Sequence, residues 1–180
     1  MSPTAKRART DWTSAVLARG ESAGDQWVAV AKADLRATLE ALRAQGFDVL
    51  LFLTAVDHLS TPSASGLPVF LPDGAAPPRF ELIYQLRNMR DRALMRVRVF
   101  LPEGDQTAPS VSAIFPPANW DERETFDMFG IVFEGHPNLT RILMPDDWVG
   151  HPLRRDFPVG GEHVEFSEEH ETWQTAPPEA

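Results

Sequence analysis

Apolar and polar side chains alternate along two neighbouring stretches in the middle of the chain, residues 80–87 (FELIYQLR) and 93–101 (ALMRVRVFL). A period of two is typical of strands with one buried face. The polar residues 88–92 lie between these stretches, so we predict a β-hairpin. Residues 27–31 (WVAVA) are short, apolar and rich in valine, and they predict a further strand.

Two other hydrophobic patterns precede the hairpin. Leu35, Leu39 and Leu42 recur at helical spacing, and Gly46 stands where a left-handed residue would end a helix. The run 47–56 (FDVLLFLTAV) is almost entirely apolar and has the length of a strand. Because continuous apolar runs are typical of strands covered on both faces, we predict that this one is central in the sheet.

Residues 119–130 (NWDERETFDMFG) predict a second helix whose two ends are both marked. Asn119 is placed as the N-cap, and Glu122 follows three residues later, as in a capping box. Gly130 is placed to end the helix.

The charged residues of this predicted helix have two interpretations. Arg123 and Asp127 are one turn apart and predict an ion pair, while Glu124 shares a face with Asp127. A free-standing enzyme would instead use Glu122, Glu124 and His136 for acid–base chemistry. We favour a charged helix surface, because the sequence contains no phosphate loop and no nucleophile elbow.

Regular patterns stop after Gly130, and the stretch 131–158 mixes four prolines with arginines and large apolar side chains. Arginine, tryptophan and methionine are the residues that protein interfaces concentrate. We therefore predict an extended arm that binds a partner protein and is mobile in the free chain. Its predicted interface residues are Arg141, Trp148, His151, Leu153, Arg154, Arg155, Asp156 and Phe157.

A Gly-His-Pro element occurs twice in this arm, at 135–137 and 150–152. With Asp146, Asp147 and Asp156 nearby, the two histidines suggest a metal site. We favour histidines that bond to the backbone or to a neighbouring carboxylate, because spacings typical of metal sites are missing. We therefore expect no metal ligands and no catalytic residues in this chain.

Composition excludes several classes of function. The net charge of −9 argues against a nucleic-acid surface, which requires clustered cations. No apolar stretch is long enough to span a membrane. The absence of cysteine excludes disulfides and iron–sulfur clusters held by cysteine alone.

These patterns together predict an α+β fold, with a mostly antiparallel sheet of about four strands, packed helices and a long extended C-terminal arm. We divide the chain into a lead-in at 1–26, an α+β domain at 27–130 with a proline-rich loop at 60–79, the arm at 131–158 and an acidic tail at 159–180.

The stretches 120–131, 133–137, 139–144 and 151–158, taken in this order and spacing, resemble the signature of the 30-kDa-type subunit of respiratory complex I, the C-type subunit of NADH–quinone oxidoreductase. Within the helix the resemblance is carried by Trp120, Glu122, Arg123, Glu124, Asp127, Phe129 and Gly130. It extends over roughly residues 34–158.

The resemblance implies a cofactor-free structural subunit of the hydrophilic arm of complex I, which supports the quinone-reducing module. The main partner would be the D-type subunit, of 49-kDa type, with the B-type subunit and other peripheral-arm subunits nearby. Those partners would hold the FMN and the iron–sulfur clusters that carry electrons from NADH to quinone while protons are pumped. This chain would therefore be catalytic only as part of the complex, on the cytoplasmic side of the bacterial cell membrane.

Two alternatives to this function remain at the level of sequence. The chain could be the equivalent subunit of a related membrane-bound hydrogenase or of another quinone- or ferredoxin-linked complex. The other alternative is the independent enzyme that uses Glu122, Glu124 and His136.

Overall fold

The computed structural model describes residues 12–22, 24–59 and 78–158. Most of the proline-rich loop and the acidic tail predicted above lie outside these ranges. The elements, in chain order, are β1 (Val16–Ser22), β2 (Asp25–Val30), α1 (Leu35–Ala44), β3 (Val49–Asp57), β4 (Phe80–Arg87), β5 (Leu94–Leu101), β6 (Thr107–Pro109), α2 (Ala118–Phe129) and β7 (Val132–Glu134), with short 3-10 turns at Trp12–Ala15 and Lys32–Asp34.

The main sheet has five strands in the order β1-β2-β5-β4-β3, and every neighbouring pair is antiparallel except β2 with β5. The predicted α+β class is confirmed, including the hairpin of β4 and β5. The sheet begins earlier than the sequence predicts, because β1 and the start of β2 come from the expected lead-in 1–26. None of the β1 residues is buried, so this edge strand has little hydrophobic signal in the sequence.

One face of the sheet forms the core together with α1. Leu35, Leu39 and Leu42 are fully buried there, as their helical spacing predicts. On the same face, β4 contributes Phe80, Leu82, Tyr84 and Leu86, and β5 contributes Met95, Val97, Val99 and Leu101. Gly46 has a positive φ of 106° after the helix, which fits its predicted terminating role.

The prediction that 47–56 forms a central strand is wrong, because β3 lies at the edge of the sheet. Helix α2 packs along this strand, and the Asp121 Oδ2 accepts the N–H of Leu53 at 3.0 Å. Helix α2 thus contacts the part of β3 that a neighbouring strand would cover if β3 were central in the sheet. The pairing is irregular between Leu50 and Phe52, where the Leu51 and Phe52 side chains are exposed.

Helix α2 begins at Ala118, directly after Pro117, and it has no side-chain cap at its N-terminus. The predicted capping box of Asn119 and Glu122 is therefore wrong. Proline suits a helix start because its missing N–H would have no partner in the first turn. The helix ends as predicted at Gly130, which is left-handed with φ 73° and donates its N–H to Phe126 O.

Strands β6 and β7 form a second sheet, which is parallel and has two strands. Through this pairing, the segment that follows α2 packs against the α+β domain. Two backbone bonds extend this second sheet, from Val132 N to Gln106 O and from Ser110 N to Glu134 O. This sheet places the N-terminal half of α2 beside the 110–112 turn, and it sets the direction in which the arm leaves. Within the described ranges, no helix is long and apolar enough to cross a membrane.

Candidate functional site

The Asp127 carboxylate organises the junction between α2 and the arm. It is completely buried, and its Oδ2 accepts the backbone N–H groups of Ile142, Leu143 and Met144 at 3.0, 2.8 and 2.9 Å. Its Oδ1 lies 2.5 Å from the Arg141 guanidinium. Burial alone would raise the pKa of Asp127, but these four partners lower it to about 2.

Two arginines donate hydrogen bonds to backbone carbonyl groups of the arm. Arg141 donates from Nη2 to the carbonyls of Trp148 and Gly150, so it also closes the turn that these residues form. Arg123 donates to the carbonyls of Thr140 and Arg141. The predicted ion pair between Arg123 and Asp127 is therefore wrong, because each residue binds the arm rather than its neighbour on the helix.

The second half of the arm caps the C-terminus of α2. The last carbonyls of a helix have no partner within it and need donors from elsewhere. Here the His151 Nδ1–H donates to Asp127 O at 2.9 Å, and the Leu153 N–H donates to Met128 O at 3.1 Å. Arg154 Nε donates to Phe129 O at 2.6 Å, and its Nη2 donates to the side chain of Gln106.

Gly130 is the position around which this cap closes. A Cβ atom added there would lie 2.4 Å from Arg154 Nη2 and 2.5 Å from His151 Nε2. The glycine thus supplies both the left-handed backbone and the space that two arm side chains occupy.

The end of the arm is tied to the base of the proline-rich loop. The Arg155 N–H donates to Asp57 Oδ2 at 3.0 Å, and Asp156 pairs with Arg79 at 2.7 Å. Arg79 also pairs with Asp57, and the backbone carbonyl of Arg79 accepts the His58 N–H at 2.7 Å. Burial alone would raise the pKa of Asp57, but Arg79 and the backbone N–H groups of Leu59 and Arg155 lower it.

These contacts show where each predicted interface residue lies. Arg141, His151 and Arg154 point into this chain and hold the arm, while Trp148 and Phe157 stack on each other with ring centroids 6.3 Å apart. These contacts join the arm to its own domain, and its mobility in the free chain stays a prediction. We call the exposed side chains Leu143, Val149, Leu153 and Arg155 the outer face of the arm.

The predicted charged surface of α2 is only partly observed. Glu124 is exposed, but Glu122 and Asp127 are fully buried. Trp120 is 60% exposed and lies under the guanidinium of Arg123, whose Cζ is 5.3 Å from the indole centroid. Phe129, by contrast, is buried in the core.

The two Gly-His-Pro elements serve different parts of α2. The His136 Nε2 lies 3.1 Å from Asn119 O, near the start of the helix, whereas His151 binds near its end. No group of three or more His, Asp or Glu side chains suited to a metal ion occurs in the part of the chain that the structure describes. Of the acid–base set weighed for an independent enzyme, Glu122 is buried beside His136, whose Nε2 lies 3.8 Å from its Oε2, whereas Glu124 is exposed.

A sequence model of the respiratory-chain NADH dehydrogenase 30-kDa subunit matches residues 28–163 of this chain. The chain belongs to this family. A curated relative, the C-type subunit of NADH-quinone oxidoreductase from Herpetosiphon aurantiacus, is 39% identical over 86% of this chain and 82% of its own length. The C-type subunit from Roseiflexus sp. is 52% identical over 50% of this chain, and the match spans 52% of its own length.

Solved structures share the fold of this 30-kDa subunit family member. A trypsin-resistant fragment of Nqo5 is 31% identical, with a TM-score of 0.59 over 68% of this chain and 89% of that chain. A chain of the membrane-bound sulfane sulfur reductase, an archaeal respiratory membrane complex, is 25% identical, with a TM-score of 0.62 over 78% of this chain and 76% of that chain.

Proposed function

We propose that this chain is a structural subunit of the peripheral arm of NADH–quinone oxidoreductase and that it binds a neighbouring subunit through the outer face of its arm. The chain acts as part of an enzyme complex. The single observation that carries the interface is the exposure of Val149, Leu153 and Leu143, at 88, 53 and 57%, on a segment whose backbone is firmly held. Burying an exposed aliphatic side chain of this size contributes about 1.5–3 kcal/mol to association.

We propose the 49-kDa-type (D-type) subunit as the partner on this face, with the B-type subunit and other peripheral-arm subunits nearby, on the cytoplasmic side of a bacterial membrane. The held arm supports a binding role for this face, because a pre-ordered surface loses little conformational entropy on binding. The second candidate function is that of the equivalent subunit in another respiratory complex, because a chain of the sulfane sulfur reductase shares this fold. The higher sequence identity to C-type subunits of NADH-quinone oxidoreductase favours a role in NADH–quinone oxidoreductase.

The interface is tested by placing a charge on the outer face. We expect the double variant Val149→Asp and Leu153→Asp to co-purify with the 49-kDa-type subunit at least tenfold less than the unchanged chain, because two apolar anchors would become charged. Its unfolding in urea should stay close to that of the unchanged chain, since both side chains are solvent-exposed. Met89→Asp is the matched control, because Met89 is 60% exposed at the turn between β4 and β5. Normal assembly of the double variant, or equal loss in the control, would contradict the proposal.

We also propose that the chain holds no redox cofactor, as the absence of cysteine suggests. The purified chain should show no visible absorption and no stoichiometric iron or flavin by metal analysis and fluorescence. Stoichiometric iron or flavin that survives gel filtration would overturn this part of the proposal.

A further inference from the structure

Glu122 is a buried carboxyl group that takes no part in holding the arm. Its Oε2 accepts the hydroxyl of Ser110 at 2.7 Å, and its Oε1 accepts the N–H of Val111 at 2.6 Å. Both donors are neutral. Within the described ranges, no lysine or arginine pairs with this carboxyl, although buried carboxylates ordinarily need a cationic partner.

His136 lies beside this carboxyl, and both of its ring nitrogens have hydrogen-bond partners in this chain. Its Nδ1 accepts the N–H of Asn138 at 3.0 Å, so this nitrogen carries no proton. Its Nε2–H then faces the carbonyl of Asn119, and Nε2 lies 3.8 Å from Glu122 Oε2. At this distance the imidazole makes no hydrogen bond to the carboxyl.

Two other ionisable groups lie near Glu122. Tyr84, on β4, is a fully buried phenol with no hydrogen-bond partner among the described residues, and burial and the charge of Glu122 both raise its pKa. Asp121, on α2 itself, adds a like charge nearby. Burial is the largest influence on Glu122 and raises its pKa, against the lowering effects of Ser110, Val111 and His136.

A chain of hydroxyl groups connects this carboxyl to the surface. The Ser110 Oγ, itself buried, lies 2.9 Å from the Ser112 Oγ, and Ser112 is partly exposed. Because hydroxyl hydrogens rotate, the two serine hydroxyls can form a complete set of hydrogen bonds with Glu122 in either of its protonation states. With Glu122 ionised, Ser112 donates to Ser110 and Ser110 donates to the carboxylate. With Glu122 protonated, the carboxyl donates to Ser110 and Ser110 donates to Ser112.

We propose that Glu122 is a proton-binding site that exchanges with solvent through the hydroxyl groups of Ser110 and Ser112. A hydronium ion at the surface gives a proton to Ser112, Ser112 passes its own to Ser110, and Ser110 passes its own to Glu122 Oε2. Each serine ends with one hydroxyl proton, the carboxyl is neutral, and water remains at the surface. The protonated site links the start of α2 to the 110–112 turn through uncharged bonds alone.

The site is tested by following the pH titration of the Glu122 carboxyl carbon by NMR in the full chain, labelled at glutamate, with Glu122→Gln used to assign the signal. Glu124, exposed on the same helix, is the internal control. We expect the Glu122 midpoint to lie above that of Glu124, because burial raises the pKa of Glu122. A midpoint at or below that of Glu124, or no titration while the chain stays folded, would overturn the proposal.

The two serines test separate parts of the proposal. Ser110→Ala removes the hydroxyl that donates to the ionised carboxyl, and a hydrogen bond to a charged group is the stronger kind, so the midpoint should rise. Ser112→Ala removes one hydrogen bond from each arrangement, so it should act on the rate of proton exchange rather than on the midpoint. We expect exchange of the Glu122 proton with solvent, measured by relaxation of the same NMR signal near its midpoint, to slow in Ser112→Ala. Ser112 is partly exposed, and its variant alone decides the matter if Ser110→Ala does not fold. An unchanged exchange rate in Ser112→Ala would refute the hydroxyl path.

Discussion

Asp127→Asn should lower the free energy of unfolding of the full chain by about 3 kcal/mol at pH 7, because removing one partner of a buried ion pair leaves the other without compensation. Asparagine keeps a single acceptor oxygen. Its NH2 group would therefore face either the Arg141 guanidinium or the three backbone N–H groups of the arm. Unfolding in urea measures the loss. Asp147→Asn, at an exposed carboxylate of the same arm, is the matched control and should change stability by less than about 0.5 kcal/mol.

The same variant has a defined dependence on pH. The pKa of Asp127 is lowered from 3.8 to about 2 in the folded chain, so its contribution is complete above the unfolded value and is lost as pH falls through the folded value. We expect the stability difference between the unchanged chain and Asp127→Asn to shrink by about 2 kcal/mol as pH falls from about 4 to about 2. A difference that stays constant over this window would contradict the role of the charge.

Gly130→Ala should be nearly as damaging, for two separable reasons. A left-handed backbone costs an alanine roughly 1–2 kcal/mol. The new Cβ would also displace the ends of Arg154 and His151, which would lose their bonds to Phe129 O and Asp127 O, worth about 1 kcal/mol each. We therefore expect a total loss of about 3 kcal/mol in urea unfolding, together with weaker co-purification with the 49-kDa-type subunit.

Gly135→Ala separates the two reasons. Gly135 has a similar φ of 80°, but an added Cβ there would meet nothing within 4 Å. This control should lose only the cost of the backbone, roughly 1–2 kcal/mol. If the free energy of unfolding falls by the same amount in both variants, the close packing of Arg154 and His151 against Gly130 does not stabilise the chain. The contacts around Gly130 would then not hold the arm.

The local part of this fold could be predicted from sequence. Helix α2, its end at Gly130 and the β4–β5 hairpin all follow from patterns within about a dozen residues. The position of β3 could not be predicted, because a strand covered by a helix and a strand covered by another strand have the same apolar sequence.

The partners of the carboxylates on α2 were missed for a related reason. Arg123 and Asp127 have the spacing of a helical ion pair, yet Asp127 pairs with Arg141, fourteen positions along the chain. A rule that considers residues within one helix favours the nearer partner. Likewise, the arginines of the arm have the composition of an interface, but composition does not distinguish an arginine that binds a partner from one that binds its own backbone.

The position of α2 along β3 also determines how the sheet can meet other chains. An open strand edge is a template on which a foreign strand can pair, and it is a common route to aggregation. Asp121 occupies the N–H of Leu53 on the outer side of β3, so the helix obstructs this edge. At the opposite end, no described strand pairs with the outer side of β1. At the β3 edge, by contrast, strand addition is disfavoured where α2 lies along it.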